Sequence, residues 1–175
     1  IGDVYKRHDI DNDGDSDLFV FVDNPQTVIA HVGSCDVPCN PPEGGPNVLY
    51  INNGDGTFTE DGLARGVVDP TGTRNNCAGF ADYDRDGFID LYVGSWALYT
   101  PGGNVLNQYD RMLHNDGDGS FSDVTELYGT DNDGRDSLTC LWFDMEMDGW
   151  PDLWVGNACG HEVDHATDAV YWNQG

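Results

Sequence analysis

The 175-residue chain sets 32 Asp and Glu against 7 Lys and Arg, a formal net charge of −25 at pH 7. So anionic a surface repels nucleic acid and anionic membranes and attracts cations, and no apolar run reaches the ~18–20 residues of a membrane span. Hydrophobic residues make up 38%, with 11% aromatic and 23 glycines, which fits a folded domain with a thin core rather than a disordered chain. The first residue is Ile1 and no leader is visible, so the expectation is a processed chain or a piece of a longer one.

In chain order, residues 4–8 have the β-branched and aromatic content of a strand. They lead into Asp9-Ile10-Asp11-Asn12-Asp13-Gly14-Asp15-Ser16-Asp17 and then the strand-like Asp17-Leu18-Phe19-Val20. The pattern returns twice. Residues 78–81 lead into Asp82-Tyr83-Asp84-Arg85-Asp86-Gly87-Phe88-Ile89-Asp90, followed by Leu91-Tyr92-Val93. Residues 139–143 lead into Asp144-Met145-Glu146-Met147-Asp148-Gly149-Trp150-Pro151-Asp152, followed by Leu153-Trp154-Val155. The shared form is D-x-[DE]-x-D-G-x-x-D, and the three copies hold 13 of the 32 acids.

Such crowding is repulsive unless a cation sits among the carboxylates. Hard oxygen donors on a flexible loop suit Ca²⁺, and the glycine at position six permits the sharp turn. Side-chain ligands are expected at positions one, three, five and nine: Asp9, Asp11, Asp13 and Asp17; Asp82, Asp84, Asp86 and Asp90; Asp144, Glu146, Asp148 and Asp152. Position seven, occupied by Asp15, Phe88 and Trp150, would offer its backbone carbonyl. An EF-hand needs a bidentate Glu at position 12 and flanking helices. Here position 12 is Val20, Val93 or Val155, and the flanks read as strands. Each site is therefore expected to be a Ca²⁺ loop joining two antiparallel strands, about three ions in all, with a structural role.

The loops begin 73 and 62 residues apart. Between them Asn47-Val48-Leu49-Tyr50-Ile51-Asn52-Asn53-Gly54-Asp55-Gly56-Thr57-Phe58 matches Arg111-Met112-Leu113-His114-Asn115-Asp116-Gly117-Asp118-Gly119-Ser120-Phe121, and residues 169–175 begin a third copy. Both full copies read as strand, tight N-G or D-G turn, strand. The Asp55 and Asp118 turns are read as hairpin chemistry rather than as ligands. Each repeat thus offers about four strands, the content of a propeller blade.

These loops, the Asp-Leu-aromatic-Val strands and the Asn-Asn-Gly-Asp-Gly-Thr-Phe hairpin resemble the calcium-binding FG-GAP and VCBS repeats of integrin-type β-propellers. The resemblance implies an all-β fold, a partial β-propeller of about three four-stranded antiparallel blades, with calcium in an extracellular setting. Blade-like repeats are expected at about 1–76, 77–137 and 138–175, the last incomplete, within one repeat domain. Propellers of this family close with six to eight blades, so other subunits or further blades are expected to complete a ring or a fibre. Adhesion, scaffolding or extracellular assembly is the function this implies, fold alone being a weak guide to activity. A polysaccharide lyase or hydrolase and a calcium-dependent glycan-binding module are the competing readings. The lyase reading lacks a basic cluster, since only Lys6 and Arg7 adjoin.

Five cysteines are present, Cys35, Cys39, Cys77, Cys140 and Cys159. A disulfide stapling the insertion around Cys35 and Cys39 is expected, and Cys140 and Cys159 could pair. His161-Glu162-Val163-Asp164-His165 matches H-E-x-x-H but lacks a downstream glutamate ligand, so it reads as a polar loop. Residues 130–137 read as an acidic surface turn that could share a cation. Trp142 and Trp154 are expected to pack, whereas Trp96 with Tyr99 is the better sugar platform. No N-x-S/T acceptor occurs.

Overall fold

The computed structural model describes residues 4–21, 47–68, 75–96, 98–99, 105–106, 109–158 and 167–175. Cys35, Cys39, Cys159 and residues 161–165 lie outside that set, as does the side chain of Tyr99.

The first sheet runs β1 (Val4–His8), β2 (Asp17–Phe21), β3 (Val48–Asn52) and β4 (Phe58–Glu60), each strand antiparallel to its chain neighbour. The second is built from β5 (Asn75–Ala81), β6 (Asp90–Ser95), β9 (Arg111–Asn115) and β10 (Phe121–Asp123) in the same up-and-down order. A two-stranded ribbon, β7 (Leu98–Tyr99) and β8 (Val105–Leu106), falls between β6 and β9. The third sheet holds β11 (Ser137–Phe143), β12 (Asp152–Asn157) and β13 (Ala169–Tyr171). Helix is confined, among the described residues, to one turn at Thr125–Tyr128 and a 3₁₀ turn at Asn132–Gly134. The chain is thus all-β, with four strands described in each of the first two sheets and three in the third, an arrangement consistent with a partial propeller.

The Asp-Leu-aromatic-Val run explains how the sheets stack. Side chains alternate along a strand, so the Leu and Val share one face and the aromatic takes the other. In β6, Leu91 and Val93 join Phe19, Phe21, Leu49 and Leu113 in a core between the first and second sheets. Tyr92 points the other way, into a second core with Met112, Leu153 and Val155 between the second and third sheets. Leu and Val therefore face the preceding sheet, and the aromatic faces the following one. β6 is buried on both faces along its whole length. Each apolar side chain so buried contributes about 1.5–3 kcal/mol. Trp142 packs against the second core as expected, and its indole N–H donates to the Gly79 carbonyl at 3.2 Å.

Residues 130–137 depart from the surface-turn expectation. Asn132 is buried, bonding Ser137 Oγ at 2.9 Å and Asn157 Oδ1 at 2.7 Å, while Asp133 pairs outward with Arg135. The turn plugs the end of the third sheet with an amide, which a sequence of short polar residues does not distinguish from a solvated bend.

Candidate metal centre

The three acidic loops form the tips of the β1–β2, β5–β6 and β11–β12 hairpins and share one hydrogen-bond scheme. The position-one carboxylate gathers the turn. Asp9 accepts from the Asp13 and Gly14 N–H groups at 3.1 and 3.0 Å, Asp82 from Gly87 at 3.1 Å, and Asp144 from Asp148 and Gly149 at 3.0 and 2.8 Å. Position five accepts from position seven: Asp13 from Asp15, Asp86 from Phe88, Asp148 from Trp150. The position-six glycines have φ between 92° and 95°, the conformation that only glycine adopts without strain. Position four is left-handed as well, at φ 58° for Asn12, 61° for Arg85 and 63° for Met147.

Position nine does more than close the loop. Asp17, Asp90 and Asp152 are fully buried, and each spans two backbone donors with its two oxygens. Asp17 accepts from Ile10 and Asn52 N–H (2.8 and 2.9 Å), Asp90 from Tyr83 and Asn115 (3.0 and 2.8 Å), and Asp152 from Met145 and Asn173 (2.8 and 2.9 Å). The first two clamp their loops to the last residue of the third strand, and Asp152 to a residue just beyond it. Burial pushes Asp17 upward and carries Asp90 to about 7, against the N–H bonds that favour the ionised form. A cation alongside would reverse that direction.

Oxygens of Asp9, Asp11 and Asp13 lie within 4.8 Å of one another, as do those of Asp82, Asp84 and Asp86. Asp11 Oδ1 and Asp82 Oδ1 are buried without a hydrogen-bond partner, an expensive condition for a carboxylate unless a cation fills the space. The donor set suits a hard divalent ion. Asp144, Glu146 and Asp148 are not drawn to that spacing among the described residues. Glu146 is nevertheless pushed upward, by loss of hydration and by the charges of Asp152, Asp148 and Asp144.

Three features escape a reading of the loops alone. Position seven roofs the next hairpin turn: a Cβ on Gly54, Gly117 or Gly175 would meet Asp15, Phe88 or Trp150 respectively. Arg65 bridges Asp11 at 3.3 Å and Asp61 at 3.1 Å, bringing a counter-charge to the first loop. His114 Nδ1 lies 3.2 Å from Asp90 Oδ1 and 3.5 Å from Asp84 Oδ2, where the first and third hairpins carry Ile51 and Trp172. Aligning the hairpins residue by residue is the signal that exposes it.

Aromatic residues also gather away from Trp96, which is half-buried at the end of β6. A cavity of about 370 Å³ between the second and third sheets is lined by Tyr83, Tyr128, Trp142, Trp150 and Trp172. Thr130, 6% exposed, also lines it, and its hydroxyl has no partner.

Residues 9–93 match a family model described as an FG-GAP-like repeat. The chain is 44% identical over 54 residues to cartilage acidic protein 1 of Homo sapiens, covering 31% of this chain and 8% of that protein. Cartilage acidic protein 1 of Xenopus tropicalis is 38% identical over 68 residues, covering 39% of this chain and 10% of that protein. The aligned segment thus spans a tenth or less of these relatives' length.

Proposed function

Because residues 9–93 match the FG-GAP-like repeat, we propose that the chain is a calcium-stabilised extracellular β-propeller module serving adhesion, scaffolding or assembly. The observation that carries the calcium is the pair of buried carboxylate oxygens, Asp11 Oδ1 and Asp82 Oδ1, without a protein partner inside matching loops. Asp9, Asp11, Asp13 and Asp17 would hold one ion, and Asp82, Asp84, Asp86 and Asp90 a second. Asp144, Glu146, Asp148 and Asp152 would hold the third, the longer Glu146 arm swinging in. The ions would supply charge neutralisation and no chemistry. Calorimetric titration of the chelator-treated chain tests this: saturable calcium binding and a sharp fall in Tm on chelation are expected. No binding heat, with Tm unchanged after verified metal removal, would overturn it.

Assembly is supported by the forward face of the third sheet. Leu141, Trp154 and Val170 pair across it in one row, and Leu141 and Val170 are exposed. The equivalent row of the second sheet, Gly79, Tyr92 and Met112, is covered by the third. Another sheet, from further blades or a second subunit, fits that face. Sedimentation with and without calcium, compared with Leu141→Lys, tests it; a wild type as monomeric as the variant at every concentration would sink the assembly reading.

A calcium-dependent glycan-binding module is the second reading, favoured by the aromatic cavity and the unpartnered Thr130 hydroxyl. Binding on a glycan array that is lost in Trp172→Ala would support it.

A further inference from the structure

Cys77 and Cys140 come from non-equivalent places in the repeat and meet across the interface between two sheets. Cys77 sits on β5, with its side chain in the second core; Cys140 sits on β11, and its side chain enters the same core from the opposite side. Both are buried and neither is bonded to another cysteine. The strands that carry them are held together. Trp142 Nε1 donates to the Gly79 carbonyl at 3.2 Å, and a Cβ on Gly79 would lie 3.6 Å from the Cys140 carbonyl oxygen. Gly94, paired with Cys77 on β6, leaves the room the Cys77 sulfur occupies, since a Cβ there would collide with it. The two side chains share that core, and Cys140 is the strongest influence raising the Cys77 thiol.

We infer that Cys77 and Cys140 form a disulfide that ties the second sheet to the third. The tie does not depend on calcium, and it differs from the Cys140–Cys159 pairing that sequence spacing suggests. The neighbouring Cys140 and then burial push the Cys77 thiol far upward, so Cys77 attacks slowly once the core has closed. The bond therefore forms while the sheets are closing. With oxidised glutathione as the oxidant, one cysteine thiolate displaces a glutathione thiolate to give a mixed disulfide. The second cysteine then displaces the other glutathione. Two thiols lose their protons and are oxidised, and one glutathione disulfide is reduced to two thiols. The bridge closes a segment of more than sixty residues, a long loop whose closure constrains the unfolded chain.

The test refolds Cys35→Ser/Cys39→Ser/Cys159→Ser from the reduced, denatured state in a glutathione redox buffer. Expected results are loss of the mass of two hydrogen atoms, no alkylatable thiol after denaturation, and a peptide linking the two cysteines. The oxidised form should melt roughly 5–15 °C above the reduced form. Adding Cys140→Ser should abolish both changes. Two alkylatable thiols in refolded protein would overturn the inference. Should the triple variant not fold, an unreduced peptide map of the wild-type chain decides: a Cys77–Cys140 peptide supports the tie, and free thiols or Cys140–Cys159 refute it.

Discussion

Ser137 Oγ donates to Asp110 Oδ2 at 2.6 Å, joining the strand that opens the third sheet to a carboxylate of the second, both fully buried. Asp110 also accepts from the Ser95 N–H at 2.7 Å and the Tyr92 hydroxyl at 2.8 Å. Burial outweighs these donors and lifts its carboxyl to about 6. A carboxyl whose pKa is higher in the fold than in the unfolded chain, near 3.8, holds its proton preferentially when folded. Its contribution is therefore greatest below about pH 4 and is lost as pH rises through about 6. Comparing urea midpoints of wild type and Asp110→Asn across that window, at fixed calcium, should show the wild type losing more stability as pH rises. Parallel curves would contradict this.

Asn115 should matter to a loop it does not belong to. Its side-chain amide donates to the Ile10 carbonyl at 2.9 Å, in the first sheet's loop, and to Ile89 at 3.2 Å in its own. Asn115→Ala leaves buried carbonyls unpaired and should cost roughly 2–3 kcal/mol in denaturant unfolding. It should also weaken calcium binding at the first loop, read by titration against a background of Asp86→Asn and Asp148→Asn.

Position five is proposed as a ligand alone and position nine as both ligand and clamp, and their variants should behave differently. Asp13→Asn keeps an oxygen for the Asp15 N–H and removes only charge. It should reduce calcium affinity while shifting metal-free stability by less than about 0.5 kcal/mol. Asp17→Ala strands the Ile10 and Asn52 N–H groups and should cost about 3 kcal/mol even with chelator present. Unfolding curves in chelator distinguish the two.

Met147 is 90% exposed and sits at φ 63°. Left-handed backbone costs a side-chain-bearing residue about 1–2 kcal/mol, and glycine's extra unfolded freedom returns about 0.5–1 of that. Met147→Gly should therefore raise stability slightly, by up to about 1 kcal/mol, measured as a higher urea midpoint. A fall in midpoint would show that Met147 makes a contact its exposure does not suggest.

The hairpin loops and their flanking strands were legible because carboxylate spacing and strand alternation are local signals. The stacking order was written in Asp-Leu-aromatic-Val, although that becomes evident only once Tyr92 is seen facing away from Leu91 and Val93. Asn52, Asn115 and Asn173 look like ordinary turn residues, and their side chains do accept from the N–H two positions on. The second job, bonding another sheet's loop at Asn115 and Asn173, depends on a neighbour that no local pattern names. Position four carries Asn, Arg and Met, so its left-handed backbone leaves no compositional trace. Cys77 and Cys140 enter one core because strand faces alternate, which spacing along the chain cannot show.

Two of the asparagine stitches between sheets run back along the chain. Asn115 reaches back 105 residues to Ile10, and Asn173 reaches back 90 to Tyr83. As the chain leaves the ribosome, an early tip lacks this donor until most of the next sheet has emerged. Maturation of these two tips then lags synthesis by 90 to 105 residues, and a truncation would damage the tip upstream of the cut as well as the sheet it removes.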